Sequence, residues 1–381
     1  MERPVDKLKL MTIVGTRPEI IRLSSVIKAC DQYFDHVLVH TGQNWDHTLS
    51  QVFFNDFELR APDYFLDAAG GILGETMGAI IAKSYEVLER ERPDALLVLG
   101  DTNSALSALS AKRLKIPIFH MEAGNRCWDW NVPEMTNRTI VDHIADINLP
   151  YTENSRRYLL SEGVDGKTIF VTGSPMREVL RDMHDKIEAS QILDQLSLTP
   201  RKYFVLSAHR EENIDDEAVF LSLMEGVNHI AATYELPVVY SVHPRSRKFI
   251  SQRGFEFHPL VMLHEPFGFA DYVKLQKNAY CVLSDSGTLS EESAMLGFPG
   301  VLIRTSTERP EALDAGTVVI GGITGSDIVR AVDVAVGLSD SKAEVGVVPD
   351  YEDTAVSTKV VKIIQSYAKI VDMTTWRKST H

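Results

Sequence analysis

Short apolar runs rich in β-branched residues alternate along the chain with longer stretches whose apolar positions recur every three to four residues. The first runs, predicted as strands, are Leu8–Val14, His36–Thr41, Ala95–Leu99, Pro117–His120 and Ile147–Leu149. Helical period predicts helices over Pro18–Ala29, Leu73–Arg90, Ser104–Leu114, Glu134–Ile144 and Asn154–Glu162. The alternation then starts again. Strands are predicted at Tyr203–Ser207, Pro237–Val242, Val261–His264, Ala279–Leu283 and Gly300–Ile303, and helices at Ala218–Tyr234, Tyr272–Gln276, Leu289–Leu296 and Ser326–Val336. A last helix, Thr354–Ile370, follows the charged loop Pro349–Asp353. This βαβ punctuation, met twice, predicts an α/β protein of two doubly wound domains, each a parallel sheet covered by helices. Gly and Pro break the pattern at Thr172–Arg177, which places the expected join there. The domains are then 1–172, with the final segment 354–381 as a candidate addition, and 173–353. In such folds ligands sit at the carboxyl ends of the strands.

A length of 381 residues fits two domains better than one, and 44% hydrophobic with 24% charged residues is ordinary for globular cores. The net charge of −14 counts against nucleic acid or an anionic membrane as partner. Three cysteines, Cys30, Cys127 and Cys281, are odd in number and far apart. They make neither a disulfide framework nor a zinc-knuckle spacing, so a reducing cytoplasm is expected. The opening MERPVDKLKL is too charged for a signal-peptide core, and no stretch reaches the uncharged length of a membrane span.

Polar motifs cluster where predicted strands end. Gly15-Thr16-Arg17-Pro18-Glu19 follows the first strand; Pro18 suits the first turn of a helix, and Arg17 with Arg22 and the helix amides makes a phosphate site or, on the plainer reading, a capped surface turn. Gly100-Asp101-Thr102-Asn103 follows a strand and is read either as a helix cap or as a source of chemistry. His120-Met121-Glu122-Ala123-Gly124 ends another strand, and Pro133-Glu134-Met135-Thr136-Asn137-Arg138 opens a helix whose dipole Glu134 can complement. Asp101, Glu122 and Glu134 thus come from successive junctions of one sheet edge. Three acids there repel one another unless cations offset them or one stays protonated, which points to acid/base work.

The second half repeats the arrangement with other groups. Ser207-Ala208-His209-Arg210 and Ser241-Val242-His243-Pro244-Arg245 each set His and Arg at a sheet edge. No carboxylate or Cys stands at ligand spacing from these histidines, so no metal is expected. In Leu283-Ser284-Asp285-Ser286-Gly287-Thr288-Leu289-Ser290-Glu291-Glu292 a strand yields to a helix whose first amides can cradle a diphosphate. Glu292 can accept from ribose hydroxyls, or with Glu291 simply complement the dipole. Arg304 and Arg309 stand in a dense polar loop after the next strand. Neither a GxGxxG fingerprint nor a GxxxxGK[ST] loop occurs, which counts against NAD chemistry and ATP hydrolysis.

Taken in order, GTRPE, GDTNS, HMEAG, PEMTNR, SAHRE, SDSGTLSEE and TSTERPEAL resemble the non-hydrolysing UDP-N-acetylglucosamine 2-epimerase family, from about Leu8 to Gly322. The resemblance implies a GT-B fold, two Rossmann-like domains facing a central cleft, in a homodimer. It implies elimination of UDP across C1–C2 of a UDP-linked 2-acetamido sugar, then reprotonation and re-addition, with no cofactor. By motif, Asp101, Glu122 and Glu134 become the catalytic acids, with His209 beside them. Arg17, Pro18, Arg22, Arg138, Arg210, His243, Ser286, Gly287, Thr288, Glu292, Arg304 and Arg309 become contacts to the UDP-sugar. Asn44-Trp45-Asp46-His47 departs from the parent pattern, where a second sugar nucleotide activates some bacterial members. So does the short segment EAGNRCWDWNVPE with Trp128 and Trp130. Both variants resemble the branch that converts UDP-2-acetamido-2,6-dideoxy-L-talose to UDP-N-acetyl-L-fucosamine for capsule or O-antigen. There, aromatic walls would favour a 6-methyl over a hydroxyl. A plainer role for the tryptophans is core or interface anchoring. A UDP-N-acetylmannosamine-forming epimerase, a GT-B glycosyltransferase and an inactive nucleotide-sugar sensor are the alternatives.

Overall fold

The computed structural model describes residues 7–43, 54–130 and 132–378. Asn44-Trp45-Asp46-His47 falls outside them.

The chain divides into two units, Met1–Asp182 with Asp350–His381, and Met183–Pro349. In the first, β1 (Lys9–Val14), β2 (Asp35–His40), β3 (Tyr64–Phe65), β4 (Ala95–Leu99), β5 (Ile118–Met121) and β6 (Ile147–Leu149) form one parallel sheet in the order β3-β2-β1-β4-β5-β6. In the second, β7 (Phe204–Ser207), β8 (Val238–Ser241), β9 (Val261–His264), β10 (Cys281–Ser284), β11 (Gly300–Leu302) and β12 (Val318–Ile320) form another, in the order β12-β11-β10-β7-β8-β9. Counted within its own unit, each sheet has the strand order of a Rossmann fold, whose crevice lies where the order reverses.

The longer helices are α1 (Arg17–Tyr33), α2 (Leu73–Glu91), α3 (Ser107–Arg113), α4 (Glu134–Ile144), α5 (Glu153–Ser161), α6 (Met176–Asp182), α7 (Glu217–Tyr234), α8 (Pro244–Arg253), α9 (Phe269–Asn278), α10 (Thr288–Leu296), α11 (Gly325–Asp340) and α12 (Val356–Thr374). Period-two alternation explains how both faces of each sheet are filled. Met11, Ile13, Leu96, Val98 and Ile118 face one layer with Ile80, Val87 and Leu88 of α2. In the second unit Leu206, Tyr240, Leu283 and Val301 meet Phe220, Leu223 and Val227 of α7 and Ile328 and Val332 of α11, while Val205, Val239, Val282 and Leu302 meet Leu275 and Leu289 on the other side.

The predicted single helix Ser104–Leu114 is instead a 3-10 turn, Asn103–Leu106, leading into α3. The turn is tightened where the Thr102 and Ser104 hydroxyls donate to Glu19. The helix α6 lies just past the expected join and stays in the first unit. Its Glu178 accepts the Ser357 amide at 3.0 Å and the Ser357 hydroxyl at 3.1 Å. The chain leaves the first unit only after Asp182, and α12 returns to pack against α1. No helix among the described residues is long and apolar enough to cross a membrane.

Candidate active site

In the first unit the loops after β1, β4 and β5 and the start of α4 meet at the carboxyl edge of the sheet. Asp101 follows β4. It makes no cap hydrogen bond to the helical turn after it. Instead the Arg138 guanidinium donates to Asp101 Oδ2, from Nε at 2.9 Å and from Nη2. Asn137 Nδ2 donates to the Asp101 carbonyl at 3.0 Å, so two neighbours on α4 hold this loop from both ends. Asp101 Oδ1 accepts no hydrogen bond from the described residues.

Glu122 is buried and has φ +61°. A non-glycine residue in that region is strained by roughly 1–3 kcal/mol. The strain is held by the Glu122 amide, which donates to the Leu149 carbonyl at 3.1 Å. Two residues on, a Cβ at Gly124 would lie 2.4 Å from the Ser155 carbonyl, so only glycine lets α5 approach. The Glu122 carboxylate pairs with Arg22 Nη1 and receives Asn125 Nδ2 at 3.3 Å. Glu134 is the first residue of α4, one turn before Arg138 and on the same helix face. The repulsion expected among these acids is therefore offset by cations, Arg138 on Asp101 and Arg22 on Glu122. Arg17 and Pro18 open α1 beside them and are exposed.

A buried frame lies underneath. His120 Nε2 donates to the Gly100 carbonyl at 2.7 Å, and its Nδ1 is 2.9 Å from Asp142. Asp142 also takes the Gly124 amide and Arg126 Nη1 at 2.7 Å. Burial pushes the Asp142 carboxyl up. Hydrogen bonding and charge from His120 and Arg126 outweigh that, so it stays below the usual carboxylate range. Asn125 touches Glu122 directly, while Asp142 and Glu19 brace the loops that carry the acids; strand and helix pattern singles out none of the three. Glu19 and Asn125 lie inside the motifs GTRPE and EAGNRC, which give them no role of their own, and Asp142 is a polar residue inside a stretch read only as helix.

The tryptophans of the segment between Glu122 and Glu134 do not enter the core: Trp128 is 58% and Trp130 66% exposed. Trp128, at φ +58°, packs edge-on against Tyr158 with centroids 5.7 Å apart. The core reading is thereby removed for both.

The second unit assembles its own set. Ser284 of β10 is in register with Ser207 of β7, which brings Asp285 beside Ala208 and His209. The His209 ring lies 5.8 Å, centroid to centroid, from the ring of His243, which follows β8. Ser286 and Thr288 share a hydroxyl–hydroxyl contact of 3.0 Å at the start of α10. A Cβ on Gly287 would meet Glu308 Oε1 at 2.4 Å, so the loop after β11 closes on a bare backbone. Glu308 accepts from Arg304 Nη1 at 2.7 Å and lies 3.7 Å from Arg210. Arg309 pairs with Glu291 at 2.6 Å, and Gln276 Nε2 donates to Glu292 at 2.6 Å. Arg304 and Arg309 are both buried, so their guanidinium groups brace the loop after β11 from within. Among the described residues no group of His, Cys, Asp and Glu has metal-site geometry.

The arrangement is a GT-B fold carrying acids on one Rossmann-like unit and amides, hydroxyls and imidazoles on the other. Residues 28–365 match the sequence model of the UDP-N-acetylglucosamine 2-epimerase family. A UDP-N-acetylglucosamine 2-epimerase structure from Rickettsia bellii is 45% identical with TM-score 0.90, covering 98% of this chain and all of that one. The Methanocaldococcus jannaschii UDP-GlcNAc 2-epimerase, solved with UDP-GlcNAc and UDP, is 31% identical with TM-score 0.87, covering 94% and 100%. The UDP-2,3-diacetamido-2,3-dideoxy-D-glucuronate 2-epimerase of Pseudomonas aeruginosa is 34% identical over 334 residues, 87% of this chain and 93% of that protein. The chain belongs to the UDP-N-acetylglucosamine 2-epimerase family. It is an enzyme, an isomerase of the epimerase kind.

Proposed function

We propose that the protein inverts C2 of a UDP-linked 2-acetamido sugar by eliminating and re-adding UDP. A carboxylate takes the C2 proton, the C1–O bond to the diphosphate breaks, and a 2-acetamidoglycal results. A carboxylic acid returns a proton to the opposite face of C2, and UDP oxygen adds back to C1. Asp101, Glu122 and Glu134 share these proton transfers and the stabilisation of positive charge at C1. The observation that carries this reading is the pairing of Asp101 with Arg138 and of Glu122 with Arg22, which keeps several acids together at one strand edge. Leaving UDP gathers negative charge, which Arg17, Arg22, Arg210, His209, His243 and the Ser286–Thr288 turn would meet with preorganised donors. Glu292 would hold the ribose.

The substrate we favour is UDP-2-acetamido-2,6-dideoxy-L-talose, giving UDP-N-acetyl-L-fucosamine for a capsule or O-antigen. Its support is the pair of solvent-facing tryptophans between Glu122 and Glu134, which offer apolar surface to a 6-methyl group. UDP-N-acetylglucosamine is the second reading, favoured by the names of the relatives. The Pseudomonas relative is named for a more elaborate sugar, a UDP-linked 2,3-diacetamido-2,3-dideoxy-D-glucuronate. The acting form is proposed to be a cytoplasmic homodimer. Exposed Ile72, Leu73 and Tyr85 at α2 supply apolar surface for it, while Ile80, Val87 and Leu88 of the same helix are buried within the unit.

Each sugar nucleotide is incubated with the protein in deuterated water and C2 is read by NMR. Deuterium is expected at C2, with faster turnover of the 6-deoxy sugar. Equal or faster turnover of UDP-N-acetylglucosamine removes the fucosamine reading, and no deuterium at C2 of either removes the mechanism. Asp101→Asn, Glu122→Gln and Glu134→Gln are each expected to slow exchange by about 10²-fold or more.

A further inference from the structure

We propose that Asp285 is a positioning residue for His209: its buried carboxylate keeps a proton on His209 Nδ1 and thereby turns Nε2 toward the nucleotide. The inference deepens the reading above, in which His209 meets the departing diphosphate.

Asp285 is fully buried at the end of β10. Three donors converge on its Oδ2: the His209 amide at 2.7 Å, the Arg210 amide at 2.9 Å and Asn213 Nδ2 at 3.1 Å. They fix the plane of the carboxylate and, with it, the backbone from which His209 springs. Oδ1 then lies 3.2 Å from His209 Nδ1, an ion-pair contact short of hydrogen-bond geometry, and accepts no hydrogen bond from any described group. A buried carboxylate oxygen without a donor is costly, and a nitrogen lone pair facing it is worse. Only a proton on Nδ1, brought into line by a small rotation of the partly exposed ring, satisfies that oxygen. In the neutral ring that tautomer leaves the lone pair on Nε2; the ring that meets the diphosphate carries a proton on both nitrogens, a charged donor that an amide NH₂ facing Nδ1 would not allow. The imidazole is 40% exposed, so Nε2 has room for a ligand. The same aspartate therefore does two things: it anchors the loop through Oδ2 and selects the tautomer through Oδ1. This is the logic by which outer carboxylates orient a working histidine.

Asp285→Asn separates the two roles. The asparagine oxygen can still accept the two amide protons, but its NH₂ now faces the ring. A donor there requires the lone pair on Nδ1 and drives the proton to Nε2. The measurement is the ¹⁵N spectrum of the histidine rings in the full-length protein at about pH 9, above the ordinary histidine range, with His209→Gln to assign the signal. Expected is a protonated-type Nδ1 in the wild type and an unprotonated-type Nδ1 in Asp285→Asn. With sugar nucleotide, kcat of Asp285→Asn should fall about 10- to 100-fold, with KM nearly unchanged. An unprotonated Nδ1 in the wild type overturns the proposal without need of any variant. So does an Asp285→Asn protein whose Nδ1 stays protonated. If the tautomer switches as expected while neither sugar is turned over, the function assigned above fails and this inference stands.

Discussion

Glu19 is buried beneath the loops that carry Arg17 and Asp101, and it receives the Gly15 amide and the hydroxyls of Thr16, Thr102 and Ser104. Burial pushes its carboxyl up to about 7, with those hydrogen bonds pulling the other way. The folded state thus holds this proton more tightly than the unfolded chain, whose value is near 4.5. Its contribution to stability is complete below about pH 4.5 and declines as pH rises to about 7, by on the order of 3 kcal/mol. Glu19→Gln should flatten that decline: the stability difference between variant and wild type, from urea melts at successive pH values, should move toward the variant between pH 4.5 and 7. Parallel curves would refute it. At this scale the sequence told part of the story. Asp101, Glu122 and His209 are visible because each stands directly after a strand, where a fold of this class exposes its ends. Arg22 and Arg138 are visible as candidate contacts to the UDP-sugar, but not as partners of these acids. Arg138 is 37 positions from Asp101 and Arg22 is 100 from Glu122. The sheet order alone decides that these side chains meet.

Helices α7 and α11 touch where neither has a side chain. A Cβ on Gly226 would sit 2.6 Å from Gly325 Cα, and one on Gly325 would sit 2.4 Å from the Ser222 carbonyl. The obstacles are backbone, so nothing can rotate away. Gly226→Ala should cost about 1–3 kcal/mol through forced separation, despite alanine's better helix propensity. A thermal midpoint equal to or above wild type would contradict this. The elements that the pattern located to the residue include β4 and β6, buried throughout, but also β9, with one buried residue of four. Ala95–Leu99, Ile147–Leu149, Val261–His264 and Glu134–Ile144 coincide with β4, β6, β9 and α4. The opposite edge strand of each sheet escaped it. β3 has two residues and β12 three, and both are only partly buried, whereas the equally short β6 is buried throughout. The sequence PRSRKFISQR of α8 has so few apolar positions that no stripe can be read from it.

The first unit is completed only by the end of the chain. Val356, Val360, Ile364, Ala368 and Val371 are buried at spacings of about four residues along α12, which packs on α1. Ser174 donates to the Asp350 carbonyl at 3.1 Å, and Arg177 pairs with Glu352 at 2.8 Å at the return. Removing that stripe exposes apolar surface on the order of 10 kcal/mol, comparable with a domain's whole stability. A chain ended at Pro349 should lose the first unit to limited proteolysis while a resistant fragment covering 183–349 remains. Protection of both would show α12 to be dispensable. One sheet arrangement repeated twice was readable from the alternation, whereas the position of the crossing points was not. The reason is that Met176–Asp182 has the composition of any surface helix and is assigned by what it touches.

Insertion of one unit within the other has a consequence for the nascent polypeptide. A ribosome that has finished the stretch through Asp182 must translate the intervening 183–349 before α12 can emerge. At about 5–20 residues per second that is a delay on the order of ten to thirty seconds. Through that interval the surface of α1 awaiting its cover stays apolar and accessible, so chaperone engagement during synthesis should concentrate there, ahead of the first stop codon rather than after release.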